Sequence, residues 1–107
     1  MKLLPLLLLP LALPTSAAAY EAGELYGLGG RTCAEFAQAY SKNPEMIESL
    51  YFTWAQGFMS GLNLTFVANL HKFADLGSTS MAEQKGQLRD YCNQHPLSPY
   101  YSAVLSL

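Results

Sequence analysis

The sequence predicts an all-α domain, a small bundle of four to five helices closed by one disulfide. Three observations carry that reading. Apolar residues recur at helical spacing in separate stretches, and helix-start signals stand between those stretches. No stretch alternates apolar and polar residues as a half-buried strand would.

Residues 1–19 stand apart from the rest. Lys2 precedes an apolar run from Leu3 to Leu13, and the small residues Ala17, Ala18 and Ala19 follow, the pattern of an export signal cleaved after Ala19. Pro5 and Pro10 interrupt the run, which falls short of the roughly 20 residues a bilayer crossing needs. Residues 20–31, rich in glycine and without a sustained period, read as a flexible lead-in. Residues 32–107 read as a single helical domain, periplasmic or secreted after signal removal.

The first helix opens at Thr32, where "TCAEF" forms a capping box between Thr32 and Glu35. Cys33, Phe36, Ala37 and Tyr40 then fall on one face. Asn43 caps a second helix, with Pro44 at its first position, where a missing amide costs nothing. An apolar pattern runs from there through Met46, Ile47, Leu50, Tyr51, Trp54, Phe58, Leu62 and Phe66 to Leu70 and Phe73. Ser80 and Glu83 form a second capping box, opening a helix through Leu88, Tyr91 and Cys92 that stops before Pro96. A short helix after Ser98 and Pro99 is expected to bury Tyr101, Val104 and Leu105.

Without Lys2, the cations Arg31, Lys42, Lys72, Lys85 and Arg89 face eight carboxylates. A mildly acidic chain with no basic patch is not built to hold nucleic acid. A domain this small gains only about 3 to 5 kcal/mol from its core and is commonly stapled. Cys33 and Cys92 are the only cysteines, and an oxidising compartment favours an intramolecular disulfide over free thiols, an intermolecular link or a metal site. Closing about sixty residues would stabilise the domain by about 4 kcal/mol on the chain-entropy view.

That bond also makes a topological demand. In a plain up-down-up bundle the start of the first helix and the end of the third lie at opposite ends, so the long middle helix is expected to break and fold back at 61–65.

No catalytic, cofactor-binding or metal site is expected. Ser60 is misplaced for a G-x-S-x-G elbow, since the order is Gly57, Phe58, Met59, Ser60, Gly61. It also stands about 16 Å along a continuous helix from His71, beyond proton-transfer reach. Cys33, Cys92, His71 and His95 lack zinc-ligand spacing. Gly57 and Gly61 make a small-x-x-x-small pair, read as a helix-packing notch with Trp54 and Phe58 supplying apolar area beside it. No charge stands between Glu48 and Lys72, and Thr53, Gln56, Ser60 and Asn63 form an uncharged polar stripe. With Tyr100 and Tyr101, that stripe is the candidate partner-binding surface.

Taken in order, "TCAEF", "WAQGFMSGLN", "LRDYCNQHP" and "VLSL" resemble small exported bacterial proteins near the HdeA-type acid-stress chaperones and the Rap/Tai-type immunity proteins of type VI secretion. The resemblance implies a helical periplasmic domain with a Cys33 to Cys92 disulfide, working by binding a protein without catalysis or cofactor. The partner would be one toxin for an immunity protein, or unfolded clients held in acid for a chaperone.

Overall fold

The computed structural model describes Pro10, residues 25–70 and residues 75–107. Apart from Pro10, the expected export signal and its cleavage point lie outside those residues, as do His71, Lys72, Phe73 and the side chain of Leu70. Among the described residues there are four α-helices, α1 (Cys33–Lys42), α2 (Pro44–Leu70), α3 (Met81–Gln94) and α4 (Tyr100–Leu105), with a 3-10 turn at Leu28–Gly30. The all-α bundle with one disulfide stands. None of these helices is long and apolar enough to cross a membrane.

The helix starts form as their residues dictate. Thr32 Oγ1 accepts from the Glu35 amide at 3.1 Å while the Glu35 carboxylate accepts from the Thr32 amide at 3.0 Å, closing the capping box. The Asn43 side chain accepts from the Met46 amide at 3.4 Å, opening α2. Ser80 caps α3 through the Glu83 amide at 3.2 Å. These contacts satisfy amides that a helix's first turn leaves unbonded.

The expected break at 61–65 does not occur: α2 runs unbroken for 27 residues, about 40 Å. Cys33 and Cys92 are nevertheless bonded, with α-carbons 4.7 Å apart. The reason is that α1 and α3 are short and both pack beside the first half of α2. Three contacts, Gln56 with Met81, Phe52 with Lys85 and Glu48 with Arg89, show α3 running antiparallel to that half. The start of α1 then reaches the segment after α3, where the Cys33 amide donates to the Ser98 carbonyl at 2.7 Å and the Ala34 amide to the Pro96 carbonyl at 2.9 Å. A ten-residue helix spans only about 15 Å, so its ends need little offset to make that meeting.

Phe36 of α1 is the centre of the core, with its ring 4.9 Å from Tyr51 and 5.2 Å from Tyr100. Tyr51 and Tyr100 meet edge-on at 4.8 Å and 74°. Phe52, Ala55 and Met59 of α2, Leu88 of α3 and Val104 of α4 complete it around the buried disulfide. The face of α2 that enters the core is the expected one in part: Tyr51 is buried and Ile47, Trp54 and Phe58 pack against the core as expected, but Met46 and Leu50 are exposed, while Phe52, Ala55 and Met59 are buried. Because α2 is apolar on most sides, periodicity alone does not select its inner face.

In α4 the buried set is Tyr100, Ala103 and Val104, not Tyr101 and Leu105. The Tyr100 amide donates to the Arg31 carbonyl at 2.7 Å beside a Thr32 to Pro99 bridge, which turns Tyr100 inward and sets the register.

The last residues of the lead-in are structured, in contrast to the flexible segment expected. Gly27 takes φ +85°, and its carbonyl accepts from the Gly30 amide at 3.2 Å. The Trp54 indole donates to the Tyr26 carbonyl at 3.3 Å. Gly29 is buried flat against the same ring, so closely that an added β-carbon would overlap the indole. Glycine is required at 27 by backbone conformation and at 29 by space.

Candidate functional site

The second half of α2 leaves the core behind. Beyond Met59 the exposed residues include Leu64, 74% accessible, Val67, 48%, and Phe66, 36%. Its polar side chains bond back to their own helix: Ser60 Oγ to the Gln56 carbonyl at 2.7 Å, Thr65 Oγ1 to the Gly61 carbonyl at 3.1 Å, Asn69 Nδ2 to the Thr65 carbonyl at 2.8 Å. Such bonds let an uncharged helix expose its length without leaving its hydroxyls unsatisfied.

On one side this half walls a cleft of about 290 Å³. Met59, Leu62 and Phe66 form one wall, Val104, Leu105 and Leu107 another, and Leu76 with Gln84 the floor and rim. Gln84, buried on α3, donates to the Leu76 carbonyl at 3.1 Å and the Thr79 carbonyl at 3.0 Å. It thereby fixes the 75–79 loop that borders the cleft. Asp75 holds the same loop by accepting from the Gly77 amide at 3.0 Å. Sequence reading missed Gln84, because one glutamine on a polar helix carries no pattern.

The expected partner-binding set divides. Thr53 and Ser60 are exposed, while Gln56 and Asn63 are half-buried, Gln56 near Met81 and Asn63 on the cleft wall. Tyr101 is half-buried. Tyr100 is no surface residue: it is 1% accessible, and burial, then the nearby Glu48 and Tyr51, pushes its phenol well above the ordinary tyrosine range. Its place among three aromatic rings explains why.

Trp54 and Phe58 do supply apolar area, stacked 5.0 Å apart at 14°, and both pack against the core. The Gly57 and Gly61 notch is corrected. Both glycines are exposed, and no described residue would come within 4 Å of a β-carbon at either, so the notch faces outward from this chain.

Chemically the site offers apolar shape and backbone-satisfied hydroxyls. Ser60 is engaged by its own helix, and Cys33 and Cys92 are engaged with each other. His95 ends α3 with its ring 4.3 Å from Tyr91. Among protein-family models, curated proteins and solved structures, none matches this chain.

Proposed function

We propose that this chain is a non-enzymatic, periplasmic protein-binding domain of the immunity-protein kind, which receives an apolar side chain of one protein partner in the cleft beside Phe66. The observation that carries this reading is that α2 continues past the core with its apolar side chains uncovered and one flank hollowed into a lined cleft. At about 290 Å³ the cleft lies at the small end of ligand pockets, which run about 300 to 1,000 Å³. It has room for one or two side chains. The fixed loop at Gln84 makes it a preformed receptor, which lowers the ordering cost of binding. The motif order from "TCAEF" to "LRDYCNQHP" supports the same class.

A chaperone opened by acid is the second reading, and the Glu48–Arg89 pair between α2 and α3 is the tie it would release. The test is an affinity capture from periplasmic extract by the oxidised protein, at neutral pH and near pH 3, using wild type and Phe66→Asp. One stoichiometric partner at neutral pH, lost with Phe66→Asp at unchanged melting temperature, is the expected result. Equal capture by both forms removes the cleft, and many clients appearing only in acid replace the immunity reading with the chaperone.

A further inference from the structure

Helix α2 carries a second, uncharged stripe, apolar at its two ends, that the other described residues leave uncovered. Met46, Leu50, Thr53, Gly57, Ser60, Leu64 and Val67 follow one another at alternating spacings of four and three, and all seven are exposed. The large members lie at the two ends, with Met46 57% and Leu50 51% accessible at one and Leu64 74% and Val67 48% at the other. The small members lie in the middle. The core residues Tyr51, Phe52, Ala55 and Met59 occupy the opposite side of the helix. A helix apolar on both faces is normally covered on both.

We propose that this stripe is the contact between two copies of this chain, paired antiparallel through α2 about a two-fold axis between Gly57 and Ser60. That arrangement sets Leu50 over Val67 of the second copy, Thr53 over Leu64 and Gly57 over Ser60, and then repeats in reverse. Large meets large at the ends and small meets small where the backbones come closest. An isologous contact needs this self-complementarity, with residue i facing j and j facing i. The alternating spacing keeps the seam on the partner. No charged residue lies on the stripe or directly beside it between residues 49 and 68, so two copies meet without repulsion and a charged partner finds no counterpart.

The area sets the strength. The paired strip from Leu50 to Val67, about 27 Å long and about 10 Å wide, covers roughly 270 Å² per copy. The pair buries about 540 Å² in all, short of the roughly 1,200 to 2,000 Å² of a standard interface. The dimer is therefore weak and depends on concentration. Phe66 and the cleft lie on the other flank of α2, so this proposal stands or falls apart from the binding function proposed above.

Sedimentation equilibrium from about 5 to 500 μM tests it, on wild type, Val67→Glu, Leu50→Lys and the double variant, with circular dichroism melts confirming that each folds. Wild type should dimerise, and each single variant should weaken association about tenfold or more, equivalent to 1.4 kcal/mol. The double variant should recover to within about threefold, because antiparallel pairing places each lysine against a glutamate. Leu64→Glu serves if either single variant misfolds. A wild type that stays monomeric throughout, or single variants that associate normally, overturns the proposal. A dimer that the double variant fails to restore overturns the antiparallel pairing.

Discussion

The two halves of α2 are both apolar and uncharged over most of their length, yet they stand in opposite surroundings. From Tyr51 to Met59 the helix is packed by α1, α4 and the glycine turn at Leu28–Gly30, with α3 reaching it through the side chains of Met81 and Lys85, and Tyr51, Phe52 and Ala55 are at most 4% accessible. From Ser60 to Asn69, among the described residues, it borders the cleft, and most side chains are open. The difference teaches that helix formation here follows the cap at its start and local propensity and does not require burial. Burial is decided separately, by where the short helices reach.

The largest test of that contrast is the bond that fixes the held half. Replacing Cys33 and Cys92 by alanine should cost about 4 kcal/mol, measured by urea unfolding, since it frees a loop closed over 59 residues. Next, Phe52→Ala should cost about 3 kcal/mol or more, while Phe66→Ala costs below about 1 kcal/mol, because only Phe52 leaves a cavity in a packed core. Equal losses would mean the distal half is held as firmly as the proximal one.

Gly29→Ala should then cost about 2 kcal/mol by forcing the Trp54 ring aside, with a red-shifted indole fluorescence as the ring gains water. Unchanged stability and emission would show that the turn is not docked there.

The smallest effect is alkaline. Below about pH 10 the Tyr100 phenol is neutral in folded and unfolded chains alike, so it adds no pH dependence. Above that the unfolded form ionises first, because burial raises Tyr100 in the fold, and the folded state then holds more protons. Stability should fall by up to about 1.4 kcal/mol per pH unit from this group and level off again only above its folded value. Tyr100→Phe should remove that slope in urea midpoints taken from pH 9 to 11.

Much of this fold was legible because its signals are local. Thr32 with Glu35, Asn43 before Met46 and Ser80 before Glu83 each mark a helix start through contacts three residues apart, the first as a full capping box and the last through the serine hydroxyl. The disulfide pairing was legible by count. What failed is what depends on three-dimensional placement. A break in α2 was inferred from helix ends treated as parallel rods, whereas short helices packed beside half of a long one need no break. Tyr100 and Tyr101 are adjacent in sequence, and only the bridge at Arg31 decides which turns inward. At the candidate site the lack of charge was legible, but the cleft was not, since Phe66, Leu76 and Leu107 come together only in the fold. The outward direction of Gly57 and Gly61 was likewise invisible, because spacing names a face without saying which way it looks.

The link between Cys33 and Cys92 also determines how the molecule carries tension. The lead-in and the final segment lie outside the ring it closes, and they join each other at Arg31 and Tyr100 directly beside it. Along the covalent chain a pull on the two termini therefore passes through the sulfur bridge and leaves the backbone of α2 out of the path. The outer segments, docked on α2 through the Trp54 indole and the Tyr100 ring, bear the load first, while the chain between Cys33 and Cys92 cannot extend. Reduction alone brings that hidden length into the load path, about 200 Å of chain for a separation of 59 residues. The cleft at the far end of α2, walled in part by Leu105 and Leu107, feels such a pull through those residues, while α2 itself cannot be drawn out until the bond is reduced.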